Sequence, residues 1–187
     1  MKKTLVLGIG NLLLADEGVG VHAARALMEQ RTGGATVVDV GTAILDALPL
    51  LNEAERIILV DAVQCGADPG TVYRMPLEDF SRKECIASMH GFDLPWALAL
   101  AGRSSPPEVV VIGVEPAVIG WSLDLSPEVA ASLPTVVEAV KAEIAGPASG
   151  RPLSAGRGKL PAPAARRLGG ARGLAPSAKV TTARRQN

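Results

Sequence analysis

A three-layer α/β/α sandwich built on a mostly parallel, twisted sheet is the fold this sequence predicts, and three observations carry the prediction. Short apolar runs alternate with segments of helical periodicity from residue 4 to residue 146. Three of the runs, TLVLG (4–8), IILVDAV (57–63) and VVVIGV (109–114), are apolar on both faces, as strands buried between two layers must be. Glycine- and proline-containing turns mark the boundaries between the elements.

TLVLG, closed by Gly8, reads as the first buried strand. From Gly18, the apolar positions Val19, Val21, Ala24, Leu27 and Met28 recur at helical spacing, which predicts a helix to about Gln30 that stops before Gly33 and Gly34. ATVVDV (35–40) is a second strand. Residues 43–54 form a second helix that Pro49 shortens or kinks.

IILVDAV is the most strand-like stretch, and the turn GADPG leads from it to an edge strand at TVYRM (71–75). Residues 80–91 have weak periodicity and read mostly as loop. FDLPWALALAG (92–102) is helical with Pro95 near its first turn, where the missing N–H costs little. VVVIGV follows, and Ser126 is the expected N-cap of a closing helix.

The chain has 187 residues, 48% of them hydrophobic, enough for one core of ordinary size. Its formal charge of zero averages two unlike segments. Residues 1–146 hold 10 Lys/Arg against 19 Asp/Glu, and residues 147–187 hold 9 Lys/Arg and no acid. The expected organisation is therefore an α/β domain at 1–146 and, at 147–187, a basic Ala/Gly/Pro/Arg-rich tail that lacks the apolar surface needed to order it.

The acidic domain gives no reason to expect nucleic acid as a partner. Lys2 and Lys3 before TLVLGIGNLLLA imitate a signal peptide, but Gly8, Gly10 and Asn11 break the run and an acidic turn follows in place of a cleavage site. No stretch reaches membrane-spanning length. Cys65 and Cys85 are too few for a disulfide framework and match no zinc spacing, so the expected setting is a reducing cytoplasm.

The loop GIGNLLLADEGVG (8–20) sits where glycines often cradle phosphate. The third glycine of a dinucleotide fingerprint is replaced by Leu13, the Lys of a phosphate loop is absent, and Asp16 and Glu17 would repel an anion. Taken alone, two acids at a helix start are simply favourable to the helix dipole. Asp61 changes the weighing, because it interrupts an apolar strand near its carboxyl end, the edge where open α/β sheets gather ligands.

His90, in SMHGFD just before the third helix, adds an imidazole. A lone histidine is more often structural, yet two carboxylates and one imidazole at one sheet edge suit a divalent transition ion with positions left open for water or substrate. His22, inside the first helix, fits a helix-face role better. Ser88 lacks a positioned partner, neither HExxH nor GxSxG is present, and nothing marks Cys65 as an activated thiolate.

The motifs GIGNLLLADEGVG (8–20), DVGT (39–42), ILVDAV (58–63), SMHG (88–91), VIGVEP (111–116) and LSPEV (125–129) together resemble the hydrogenase maturation proteases over about residues 3–145. The resemblance implies an α/β/α sandwich and an endopeptidase that removes a C-terminal extension from the nickel-loaded precursor of a nickel-iron hydrogenase large subunit. It implies that Glu17, Asp61 and His90 are the catalytic, metal-contacting set. The nickel would arrive with the substrate, and no organic cofactor is expected.

Asp39 corresponds to an acid used in substrate or metal recognition, with loop capping as the plainer role. Val40 stands where a second glycine is common in that family, which concerns the turn and not the chemistry. A binding-only protein that checks nickel on the same precursor without cutting it is the other reading of the same site.

Overall fold

The computed structural model describes residues 3–77, 86–87, 93–101 and 105–146. The elements are β1 (Thr4–Ile9), α1 (Val19–Met28), β2 (Thr36–Gly41), α2 (Leu48–Glu53), β3 (Arg56–Gln64), β4 (Val72–Pro76), β5 (Ile86–Ala87), α3 (Asp93–Leu100), β6 (Glu108–Val114) and α4 (Pro127–Ala145). Single 3-10 turns at Ala15–Gly18 and Ile44–Ala47 lead into α1 and α2.

The main sheet runs in the order β2-β1-β3-β6-β4. β1 pairs in parallel with β2 and β3, and β3 in parallel with β6. β4 closes one edge antiparallel to β6, as a strand reached through a short turn must. Residues 86–87, within a stretch expected to be mostly loop, pair antiparallel with Val63 and Gln64 beyond the main sheet.

Alternation along the central strands divides the interior in two. Odd-numbered Leu5, Leu7, Ile9, Ile57, Leu59, Val109 and Val111 pack with Ile44, Leu51, Leu94 and Ala97, the layer of α2 and α3. Even-numbered Val6, Ile58, Val60, Val110 and Ile112 pack with Val19, Ala23 and Leu27 of α1 and Val129, Val136 and Val140 of α4. This is the predicted three-layer arrangement, and it explains why the central stretches of β1, β3 and β6 are apolar on both faces, with Asp61 as the exception in β3.

Helix boundaries follow local chemistry. Ser126 caps α4, its hydroxyl accepting the Val129 N–H at 3.4 Å, and Pro127 occupies the first turn. Gly33 and Gly34, both at positive φ, turn the chain from α1 towards β2. The second helix of the sequence divides at Pro49, with a 3-10 turn before it and a short α-helix around it.

At the amino-terminal end of the sheet, Arg56 is 6% exposed and bonds to the carboxylate and backbone carbonyl of Glu143, which also pairs with Arg74. Glu108 approaches Arg56 Nε at 3.3 Å. Burial alone would raise the Glu143 pKa, but the hydrogen bond and charge of Arg74, with the charge of Arg56, outweigh it and lower it. A crevice of about 560 Å³ lies beside this network, lined by Lys3, Arg56, Glu108, Ile144 and Gly146.

Candidate active site

The opposite, carboxyl-terminal edge of β1 and β3 gathers the acids. β1 ends at Ile9, and the chain then climbs over the sheet to the 3-10 turn that carries Asp16 and Glu17. Two glycines let it sit close. A Cβ on Gly10 would collide with the Glu17 carbonyl, and one on Gly20 with the carbonyl oxygens of both Ile9 and Val60. The start of α1 therefore rests directly on the strand ends, and the turn packs against β3.

Glu17 is 7% exposed on this turn, and Asp61 is fully buried near the end of β3, where its Oδ1 accepts the Ala62 N–H at 2.8 Å. Asp61 belongs to the odd-numbered series of β3, whose side chains face the layer of α2 and α3. Both carboxylates thus occupy one edge. His90, three residues before the start of α3, lies outside the described residues. Among the described residues no group of three His, Cys, Asp or Glu side chains gathers closely enough to hold a metal ion.

Asp39 in β2 pairs through register with Gly8 of β1, which brings it to the same edge. Its carboxylate accepts the Arg25 Nε–H at 2.8 Å, an ion pair that the sequence did not disclose. His22 lies between this pair and the loop 115–126. Its Nε2 is buried with no hydrogen-bond partner among the described residues. Burial first, then the charge of Arg25, lowers its pKa against the opposing pull of the Leu123 carbonyl, Asp124 and Asp39.

Asp16 does more than favour a helix start. It is wholly buried, and its carboxylate accepts the N–H groups of Ala117 (2.8 Å), Val118 (2.9 Å) and Ser126 (2.7 Å). The Glu17 turn and the loop between β6 and α4 are bound into one unit. Ala15 N–H also donates to the Ser122 carbonyl and Ser122 N–H to the Leu13 carbonyl. Ala15 itself adopts φ 51°, an uncommon conformation for a non-glycine residue, at the head of the turn.

Glu115 is the other residue that sequence reasoning passed over. Buried just after β6, it accepts the N–H groups of Cys65 (2.9 Å) and Gly66 (3.1 Å) and the Tyr73 hydroxyl (2.6 Å). Burial, followed by the bond to Glu115, raises the Tyr73 pKa well above its ordinary value. An acid at the carboxyl end of a buried parallel strand is the signal that singled out Asp61, and it applied equally to Glu115.

Cys65, expected as a reduced thiol, is disulfide-bonded, which removes it as a nucleophile. The chain's other cysteine, Cys85, lies outside the described residues.

Residues 21–143 match the family model of the hydrogenase maturation proteases. The hydrogenase expression/formation protein HupD of Rhodobacter capsulatus is 36% identical over 148 residues, which cover 75% of this chain and 70% of that protein. Among solved structures, the [NiFe] hydrogenase maturation protease HybD from Thermococcus kodakarensis superposes with a TM-score of 0.67 at 30% identity, covering 76% of this chain and 99% of its own.

The hydrogenase maturating endopeptidase HybD from E. coli superposes with a TM-score of 0.64 at 29% identity, covering 77% and 94%. The chain belongs to the hydrogenase maturation protease family and is an endopeptidase of that family.

Proposed function

We propose that the chain removes the C-terminal extension of a nickel-loaded nickel-iron hydrogenase large-subunit precursor, and that Glu17, Asp61 and His90 recognise the nickel carried by that substrate. The observation that supports this reading is the burial of Glu17 and Asp61 at one edge of the sheet, beside the layer whose third helix His90 precedes. Two carboxylates and a neutral imidazole are a donor set suited to a divalent transition ion.

Carboxylate oxygens and an imidazole nitrogen are the donor types that divalent transition ions accept, and here the ion would arrive with the substrate. Metal bound near the scissile bond supplies Lewis-acid polarisation of a carbonyl. In the overall reaction water adds across one peptide bond and leaves a new carboxyl and a new amine. Asp39, held by Arg25 at the rim, is the residue we assign to substrate recognition. No helix among the described residues is long and apolar enough to cross a membrane. Separately, we assign the reaction to the cytoplasm.

Mass spectrometry of the nickel-loaded precursor before and after incubation tests the reading. The parent protein shortens the precursor, whereas Glu17→Gln, Asp61→Asn and His90→Ala do not. A precursor that is bound but never shortened would make the protein a nickel-checking factor, and normal cutting by all three variants would refute the site.

A further inference from the structure

The loop 115–126, between β6 and α4, is firmly held on one side and apolar on the other. Asp16 accepts three of its backbone N–H groups, the Asp16 N–H donates to the Val118 carbonyl at 3.2 Å, and Leu13, Leu14 and Ala15 pair with Ser122. A loop so pinned is not exposed through fraying. Even so, Trp121 is 85% exposed, Leu123 66%, Val118 52% and Ile119 48%, and Leu13 beside them 50%.

These five side chains, each about half exposed or more, present an apolar surface of roughly a few hundred Å². That equals the largest patch of a typical monomer, and such patches commonly mark interaction sites. A protruding tryptophan on a rigid backbone is the residue type that dominates binding energy at protein interfaces.

We propose that this rim docks the folded body of the precursor polypeptide, with Trp121 entering an apolar pocket on it, an inference that rests on the reading given under the proposed function. Three observations favour that occupant. The rim is continuous with the candidate site, because Leu13 lies four residues before Glu17 and the Ser122 pairings join the two segments.

The charge is wrong for a phosphate-rich or anionic lipid surface, since residues 115–126 contain no Lys or Arg and expose the carboxylate of Asp124. The area is too small for an obligate second copy, whose interfaces bury about 1,000 Å² or more per partner, and suits a transient complex of about 800 Å² per partner.

The test is steady-state cleavage of the purified nickel-loaded precursor encoded in the same genome, by the parent, Trp121→Ser and Leu123→Ser, with a thermal melt of each. Both side chains are exposed, so the melts should coincide. We expect Trp121→Ser to raise KM by about 30-fold, the size of a hot-spot truncation, and Leu123→Ser to raise it less, with kcat within about twofold of the parent.

A parent that cuts, beside variants with unchanged KM, overturns the docking surface and leaves the protease reading intact. A parent that neither cuts nor binds the precursor overturns both. If sedimentation instead finds a parent dimer that Trp121→Ser dissociates, the rim belongs to a second copy and the proposal is wrong.

Discussion

The carboxylate of Asp16 and the backbone N–H of Ser126 meet at 2.7 Å across 110 residues of sequence. This bond and its two companions at Ala117 and Val118 join the first turn after β1 to the cap of the last helix. One oxygen serves Ser126, and the other serves Ala117 and Val118.

Asp16→Asn should therefore be disruptive despite its near-identical shape. The amide keeps one acceptor oxygen and turns an NH₂ towards buried N–H groups, so we expect a loss of about 2–3 kcal/mol in urea denaturation. Amide exchange should rise at Ala117, Val118 and Ser126 and stay slow at Ile58 in β3.

Two glycines separate crowding from backbone strain. Gly20→Ala drives a methyl into the carbonyls of Ile9 and Val60, and overpacking of that kind costs about 3 kcal/mol. Gly34→Ala meets nothing within 4 Å but must adopt φ near +90°, so its cost should be about 1 kcal/mol. Comparable denaturation midpoints for the two variants would contradict the close approach of α1 to the strand ends.

Glu143 makes stability depend on acid pH. Its pKa in the folded protein lies below the ordinary 4.5 because Arg74 and Arg56 favour the charged form over the penalty of burial. A depressed folded pKa adds stability that is present above the unfolded value and lost as pH falls through the folded one. Glu143→Gln should cost about 3 kcal/mol at pH 7. The gap from the parent should narrow once the pH is taken below 4.5, and a constant gap in urea titrations from pH 7 to pH 3 would count against the network.

Nickel in the substrate should govern cleavage. Precursor stripped of its metal should remain uncut by the parent protein, and reloading with Ni²⁺ should restore cutting. Asp61→Asn should slow cutting of the loaded precursor by at least about 100-fold, the upper end of the effect of altering groups around a metal site. Cutting of stripped precursor at the loaded rate would refute metal recognition.

The fold was legible because each central strand alone declares two covered faces, and because Ser126, Pro49 and the Gly33–Gly34 pair act on their immediate neighbours. The placement of Glu17 and Asp61 at one sheet edge was legible because position within a strand or helix start fixes which edge a residue reaches. The Arg25–Asp39 pair, the Asp16 clamp and the Glu115 clamp were not. Their partners are 14, 101 to 110, and 42 to 50 residues away, and no local periodicity encodes such distances. The Cys65 disulfide escaped for a related reason, since no local pattern around Cys65 encodes it.

The clamp by Asp16 also bears on how the chain is made. During synthesis the segment bearing Glu17 emerges early, yet the backbone groups that fasten it belong to residues 117–126. Until those leave the ribosome, that corner has nothing to close upon, so a nascent fragment ending after β3 would carry both acidic side chains without the corner that holds Glu17. Hydrolytic competence should thus appear late in translation, in one step with the docking of α4.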